Sequence, residues 1–147
     1  MRILHTADWH LGQSLPGISL IEDQRFALEQ IIKVAEEERP DVVIIAGDVF
    51  DRAAPSPDAV ALLDWAISCL VLDLGRRVIL IAGNHDSGER ISCFSNLLQL
   101  RGLHLFGTPR IPVSSLTLED AFGPVRFFVL PYLEPQRARF LLNDESV

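Results

Sequence analysis

The stretch Asn84-His85-Asp86 follows an apolar run, Val78 to Ala82, and a single glycine, Gly83. Such a run reads as a buried strand, and three adjacent polar residues at its end call for a reason beyond burial. Two further clusters sit in the same way. Asp8-Trp9-His10 comes just after a short apolar segment, Arg2 to Thr6, and Gly47-Asp48 comes after Asp41 to Ala46. Together they offer carboxylate and amide oxygens and imidazole nitrogens, a mixed donor set that suits Mn²⁺, Fe²⁺ or Zn²⁺ better than Ca²⁺. A carboxylate between two such cations can bridge them about 3.5 to 4 Å apart, a clamp for in-line attack on a phosphoryl group. Asp48 is the candidate bridge. Gly47 and Gly83 let the backbone turn sharply and approach a phosphate with no Cβ in the way. Taken singly, each residue also has a plain structural reading: Asp8 as a cap, Gly47-Asp48 as a turn, Asn84 and Asp86 as turn formers.

The elements that must bring these residues together are legible in the hydrophobic pattern. Leu28, Ile31, Ile32 and Ala35 fall at i, i+3, i+4 and i+7, one face of a helix that closes with Glu36-Glu37-Glu38-Arg39 before Pro40. Ser56-Pro57 is an N-cap followed by proline at the first helical position, and predicts a helix to about Leu74 that stops at Gly75. The order is β-α-β-α-β, with strands apolar on both faces, as in a parallel sheet covered by helices. Ligands of such sheets bind beyond the carboxyl ends of the strands, which is where all three polar clusters fall. Beyond Asp86 the pattern predicts a helix from Arg90 to Leu100 through Ile91, Phe94, Leu97 and Leu98. Strands follow at Leu103 to Phe106, Val113 to Leu118 and Val125 to Leu130, the last two joined by a turn at Ala121-Phe122-Gly123-Pro124, and then a short helix near Arg137 to Leu142.

Bulk properties bound the answer. A chain of 147 residues that is 48% hydrophobic suits one soluble globular domain. No apolar run approaches the roughly 20 residues needed to cross a bilayer, and the N-terminus reaches a charge too early for a signal peptide, so the expected location is cytoplasmic, with no membrane partner. Cys69 and Cys93 have no C-x-x-C spacing and are expected to be reduced core or interface residues. A net charge of −7 argues against holding nucleic acid by a broad basic surface. It leaves room for an enzyme that meets a phosphate through bound cations, because the ion inverts the local charge.

The motifs "DWH", "GDVFD" and "GNHD", in this order and at these separations, resemble the first three motifs of the calcineurin-like metallophosphoesterases. Within that superfamily, "MRILHTADWHLGQ", "AGDVFDRAAPS" and "AGNHDS" resemble the SbcD-type DNA nucleases of double-strand-break repair. The resemblance implies an α/β fold, the αββα sandwich of the family, here its first β-α-β-α-β half and the start of the second sheet. It implies that Asp8 and His10 hold a first metal, that Asp48 bridges, that Asn84 holds a second metal, and that His85 contacts the substrate phosphate and either stabilises the transition state or protonates the leaving oxygen. It further implies two divalent ions, most simply Mn²⁺, a DNA substrate, a homodimer formed through helices, and a partner ATPase of the coiled-coil SbcC type.

The family completes its site with a Gly-His motif and a later Gly-His-x-His motif, and neither occurs here. The expectation is therefore that residues 1–147 are the N-terminal portion of one nuclease domain, carrying the first half of the site. A partial sandwich should leave an apolar sheet face uncovered. A phosphoesterase acting on a smaller phosphodiester or a phosphoprotein, and a non-catalytic scaffold of the same fold, are the alternatives. His5 and His104 are expected to be packed or hydrogen-bonded strand histidines. Asp51 and Arg52 stand where protein phosphatases carry "GDxxDRG", but Ala53 replaces the glycine, so a surface ion pair is expected instead. Trp9 and Trp65 are expected in the core or an interface, as is the helix stripe of Leu62, Trp65, Ala66, Cys69 and Leu70 with Leu97 and Leu98.

Overall fold

The computed structural model describes residues 1–143. In chain order the elements are β1 (Ile3–Thr6), β2 (Ser14–Leu15), β3 (Ile18–Ser19), α1 (Ile21–Glu38), β4 (Val42–Ala46) and α2 (Pro57–Ser68), which runs on into a π-helical segment at Cys69–Asp73. Then come β5 (Arg77–Ile81), α3 (Gly88–Ile91), α4 (Ser95–Leu98), a 3₁₀ turn at Gln99–Arg101, β6 (Leu103–Phe106), β7 (Ser114–Asp120), β8 (Gly123–Val129) and α5 (Pro135–Asn143). No helix among the described residues is long and apolar enough to cross a membrane.

The central sheet has the order β1-β4-β5-β6, parallel throughout, with Thr6 opposite Ile45 and Ala46 opposite Ile81. Each new strand is added on the same side of the last, and right-handed crossovers then carry every connecting helix over the same face. Val43, Ile45, Val78 and Leu80 point to that face and meet Leu28 and Ala35 of α1 and Ala59, Leu62 and Ala66 of α2 in one core. The intervening residues Val42 and Ile79 point the other way, onto Leu118 and Val129 of the antiparallel β7–β8 hairpin. Both faces of β4 and β5 are therefore dry, which is why their sequences are apolar without alternation. The expected α/β architecture is present: a parallel sheet with helices on one face and the beginning of a second sheet on the other.

The pattern misplaced some elements. β1 is not buried on both faces; it is the edge of the sheet, with Ile3 46% exposed and His5 exposed rather than packed. The expected Arg90 to Leu100 helix is broken into α3 and α4 by Phe94, which sits in the left-handed region at φ 57°. Ser92 accepts a hydrogen bond from the Gly107 N–H at 3.0 Å and so pins the first turn to the end of β6. The bend lets Leu98 pack on the core, while Leu97, expected there, is 64% exposed. Cys93 is exposed and Cys69 half-buried, both as free thiols, and burial raises the Cys69 pKa. The small β2–β3 hairpin around Pro16-Gly17 was not anticipated, because two-residue strands carry no readable period. The outer face of the second sheet is not the apolar patch expected: Ser115, Thr117, Glu119 and Arg126 stand there, Phe128 is 70% exposed with the Arg126 guanidinium 5.4 Å from its ring centre, and Leu130 lies past the end of β8 beside Asp48 and Asn84.

Other expectations stand as read. Leu62, Ala66 and Leu70 are buried, and Trp9 and Trp65 pack against the same core, with the Arg25 guanidinium 4.8 Å from the centre of the Trp65 ring. Asp51 and Arg52 form a 3.6 Å ion pair on the surface. His104 is half-buried, and burial, helped by the nearby Arg77 charge, holds its pKa below the ordinary histidine value.

Candidate metal centre

Three loops leave the carboxyl ends of neighbouring strands β1, β4 and β5. Because β4 lies between the other two, Asp48 sits between Asp8-His10 on one side and Asn84-His85 on the other. Asp8, His10 and Asp48 each offer a ligand atom within 4.8 Å of the others. They form the one group of three His, Cys, Asp or Glu side chains among the described residues that has this geometry. Asn84 is exposed on the far side of Asp48 and lines a pocket of about 280 Å³ with it.

The backbone that presents these side chains is strained. Asp8, His10 and Asp48 have φ of 56°, 44° and 47°, the left-handed region that costs a non-glycine residue about 1–3 kcal/mol. Main-chain bonds hold the strain in place: Asp8 N–H donates to Gly47 O at 3.1 Å, His10 N–H to Asp48 O at 2.9 Å, and Leu11 N–H to Val49 O at 2.9 Å. Gly83 is required by contact. A Cβ there would lie 2.2 Å from Asp48 Oδ1 and 2.3 Å from its backbone nitrogen.

Two side chains that sequence reasoning passed over fix the loops. Asp86, read as a turn former, accepts N–H bonds from Val49 (3.1 Å), Phe50 (2.9 Å) and Gly83 (2.9 Å), joining the exit of β4 to the exit of β5. Gln24, in the first turn of α1, reaches back to the loop carrying Asp8 and His10: its Oε1 accepts from Gly12 N–H at 3.0 Å and its Nε2 donates to His10 O at 2.7 Å. Neither leaves a periodic trace in the sequence. Asp86 was at least visible as a carboxylate in the third cluster.

His85 is held against the same carboxylate. Its backbone N–H donates to Asp48 Oδ1 at 2.9 Å, and its ring stands edge-on to that of His10, with centroids 4.9 Å apart. Its Nδ1 lies 2.8 Å from the Asp51 carbonyl oxygen. A carbonyl only accepts, so Nδ1 carries the hydrogen, and Nε2 is the atom left to serve a ligand. That carbonyl, followed by the charges of Asp48, Asp51 and Asp86, raises the His85 pKa above the ordinary histidine value.

The donor set fits a divalent transition ion. Two carboxylates and an imidazole converge, and His10 Nδ1 is buried with no hydrogen-bond partner, so the ring is held by the loop rather than by a bond of its own. The calcineurin-like phosphoesterase family model matches residues 1–133, which takes in every strand from β1 to β8 and all three clusters. With the parallel sheet, the three-loop site and this match in agreement, the chain belongs to the calcineurin-like phosphoesterase family.

Proposed function

We propose that this chain is the N-terminal portion of an SbcD-type DNA nuclease, a Mn²⁺-dependent phosphodiester hydrolase of double-strand-break repair working in the cytoplasm. The observation that carries the proposal is the convergence of Asp8, His10 and Asp48 beside His85, in a chain whose flanking motifs "MRILHTADWHLGQ" and "AGDVFDRAAPS" resemble those nucleases more than the protein phosphatases. Asp8, His10 and Asp48 would hold the first ion, and Asp48 and Asn84 would contribute to the second. When bound, the ions supply Lewis-acid polarisation of the phosphoryl group and a lowered pKa for water. His85 presents Nε2 to the phosphate, where a protonated ring would donate a hydrogen bond to a phosphoryl oxygen or a proton to the leaving oxygen. The partners that go with this reading are DNA, a second copy of the chain and a coiled-coil SbcC-type ATPase.

A substrate panel tests it. With Mn²⁺, the intact parent protein should cut linear duplex DNA, and His85→Ala in it should slow cutting by about 100-fold or more, the usual contribution of a positioned acid. Unchanged cutting by the variant would remove His85 from the reaction. Cleavage of a nitrophenyl phosphodiester with no cutting of linear or plasmid DNA would assign the chain to the phosphoesterases of smaller substrates.

A further inference from the structure

The loop from Asp8 to Gly12 is held on one side by main-chain bonds to the β4 exit; at its turn Gln13 N–H donates to His10 O at 3.0 Å, and Leu11, 1% exposed, seats it in the core. Its Trp9 and His10 carbonyls are met by Gln24, whose Nε2 donates to His10 O at 2.7 Å and Trp9 O at 3.4 Å while its Oε1 takes the Gly12 N–H at 3.0 Å. The amide uses its donor and acceptor ends at once, so neither a carboxylate nor an apolar side chain reproduces the contact. Gln24 is anchored in its turn, since its own N–H bonds Leu20 O at 2.8 Å and the helix that carries it is fixed in the core by Leu28 and Ala35. Between Asp8 and Gly12, Asp8 and His10 hold left-handed φ and Gly12 turns at φ 89°, so the direction of the His10 ring is set by how firmly this loop is gripped.

We propose that Gln24 is a positioning residue for metal binding: it holds the Asp8–His10 loop in the conformation that turns the unpartnered His10 imidazole toward Asp8 and Asp48. The inference rests on the metal reading of the site and adds to it a residue on α1 that touches no ligand atom. Partners that orient a metal ligand from outside the coordination shell change affinity by about 10–100-fold when removed.

The test is Gln24→Met, which keeps the length, flexibility and helix propensity of the side chain and deletes both polar ends. Gln24→Ala serves if the methionine variant does not fold. Mn²⁺ affinity by calorimetry should fall about 10–100-fold, the visible spectrum of the Co²⁺-loaded protein should change in band position or intensity, and the melting temperature should move little, because α1 is anchored elsewhere. Wild-type affinity together with an unchanged Co²⁺ spectrum in the variant would overturn the role of Gln24. An equal loss of affinity and of melting temperature, with the Co²⁺ spectrum of the bound fraction unchanged, would overturn it too, in favour of a purely structural contact. Failure of the wild-type chain to bind Mn²⁺ would instead overturn the metal reading, and this proposal with it.

Discussion

At the scale of single residues, the chemistry rests on Asp8, His10 and Asp48, three side chains that left-handed backbone at φ 56°, 44° and 47° turns toward one another. Asp8, His10 and Asp48 were picked out by type and by position after apolar runs, and the structure brings their ligand atoms within 4.8 Å. Asp86 and Gln24 were not picked out, because their work depends on backbone groups that only the fold delivers: Asp86 serves N–H groups up to 37 residues away, and Gln24 reaches 12 and 14 residues back. His104 shows how burial writes itself into pH behaviour. Its folded pKa lies below the unfolded value of about 6.5, so the unfolded chain binds more protons as pH falls through that value. Stability linked to His104 is therefore complete above the unfolded value and drains away between it and the depressed folded pKa. Urea midpoints at pH 7 and pH 5 should fall further for the wild type than for His104→Gln; equal falls would mean that the histidine is not desolvated.

At the scale of elements, strand positions were legible because both faces of β4 and β5 are buried and leave long apolar runs, and β6 was read at its observed bounds, Leu103–Phe106. The edge position of β1 was not legible, since an apolar segment says nothing of which neighbours it has. The break between α3 and α4 was hidden as well: a left-handed phenylalanine has no sequence signature, and the Ser92–Gly107 bond that goes with it spans 15 residues. What the elements achieve is a close meeting of loops. Gly47 and Gly83 lie face to face, and a Cβ on Gly83 would run into the Asp48 carboxylate and its backbone. Gly83→Ala should therefore cost about 1–3 kcal/mol of stability, the usual price of overpacking, and displace Asp48 from the cluster. The urea midpoint and Mn²⁺ affinity should fall together; full retention of both would show that the loops have slack the contact distances deny.

At the scale of the whole molecule, the outer face of the β7–β8 sheet, where the sequence predicts an uncovered apolar patch, is mostly polar: Ser115, Thr117, Glu119 and Arg126 stand there with Phe128. The apolar surface is instead a groove of about 580 Å³ along α2, bounded by Val60, Leu63, Ile67 and Leu72 and closed by Leu98 and Leu103. A homodimer formed through helices, as proposed above, would bury this groove, where Leu72 is 67% exposed and Val60 48% exposed. Sedimentation velocity at micromolar concentration should find a dimer that Val60→Glu with Leu72→Glu dissociates. A dimer that survives both charges would move the interface off this groove. Metal binding at the Asp8, His10 and Asp48 centre is read by calorimetric titration of the purified chain with Mn²⁺. Saturable binding that Asp48→Ala abolishes is the predicted result. Absence of binding, or binding unchanged in the variant, would contradict it.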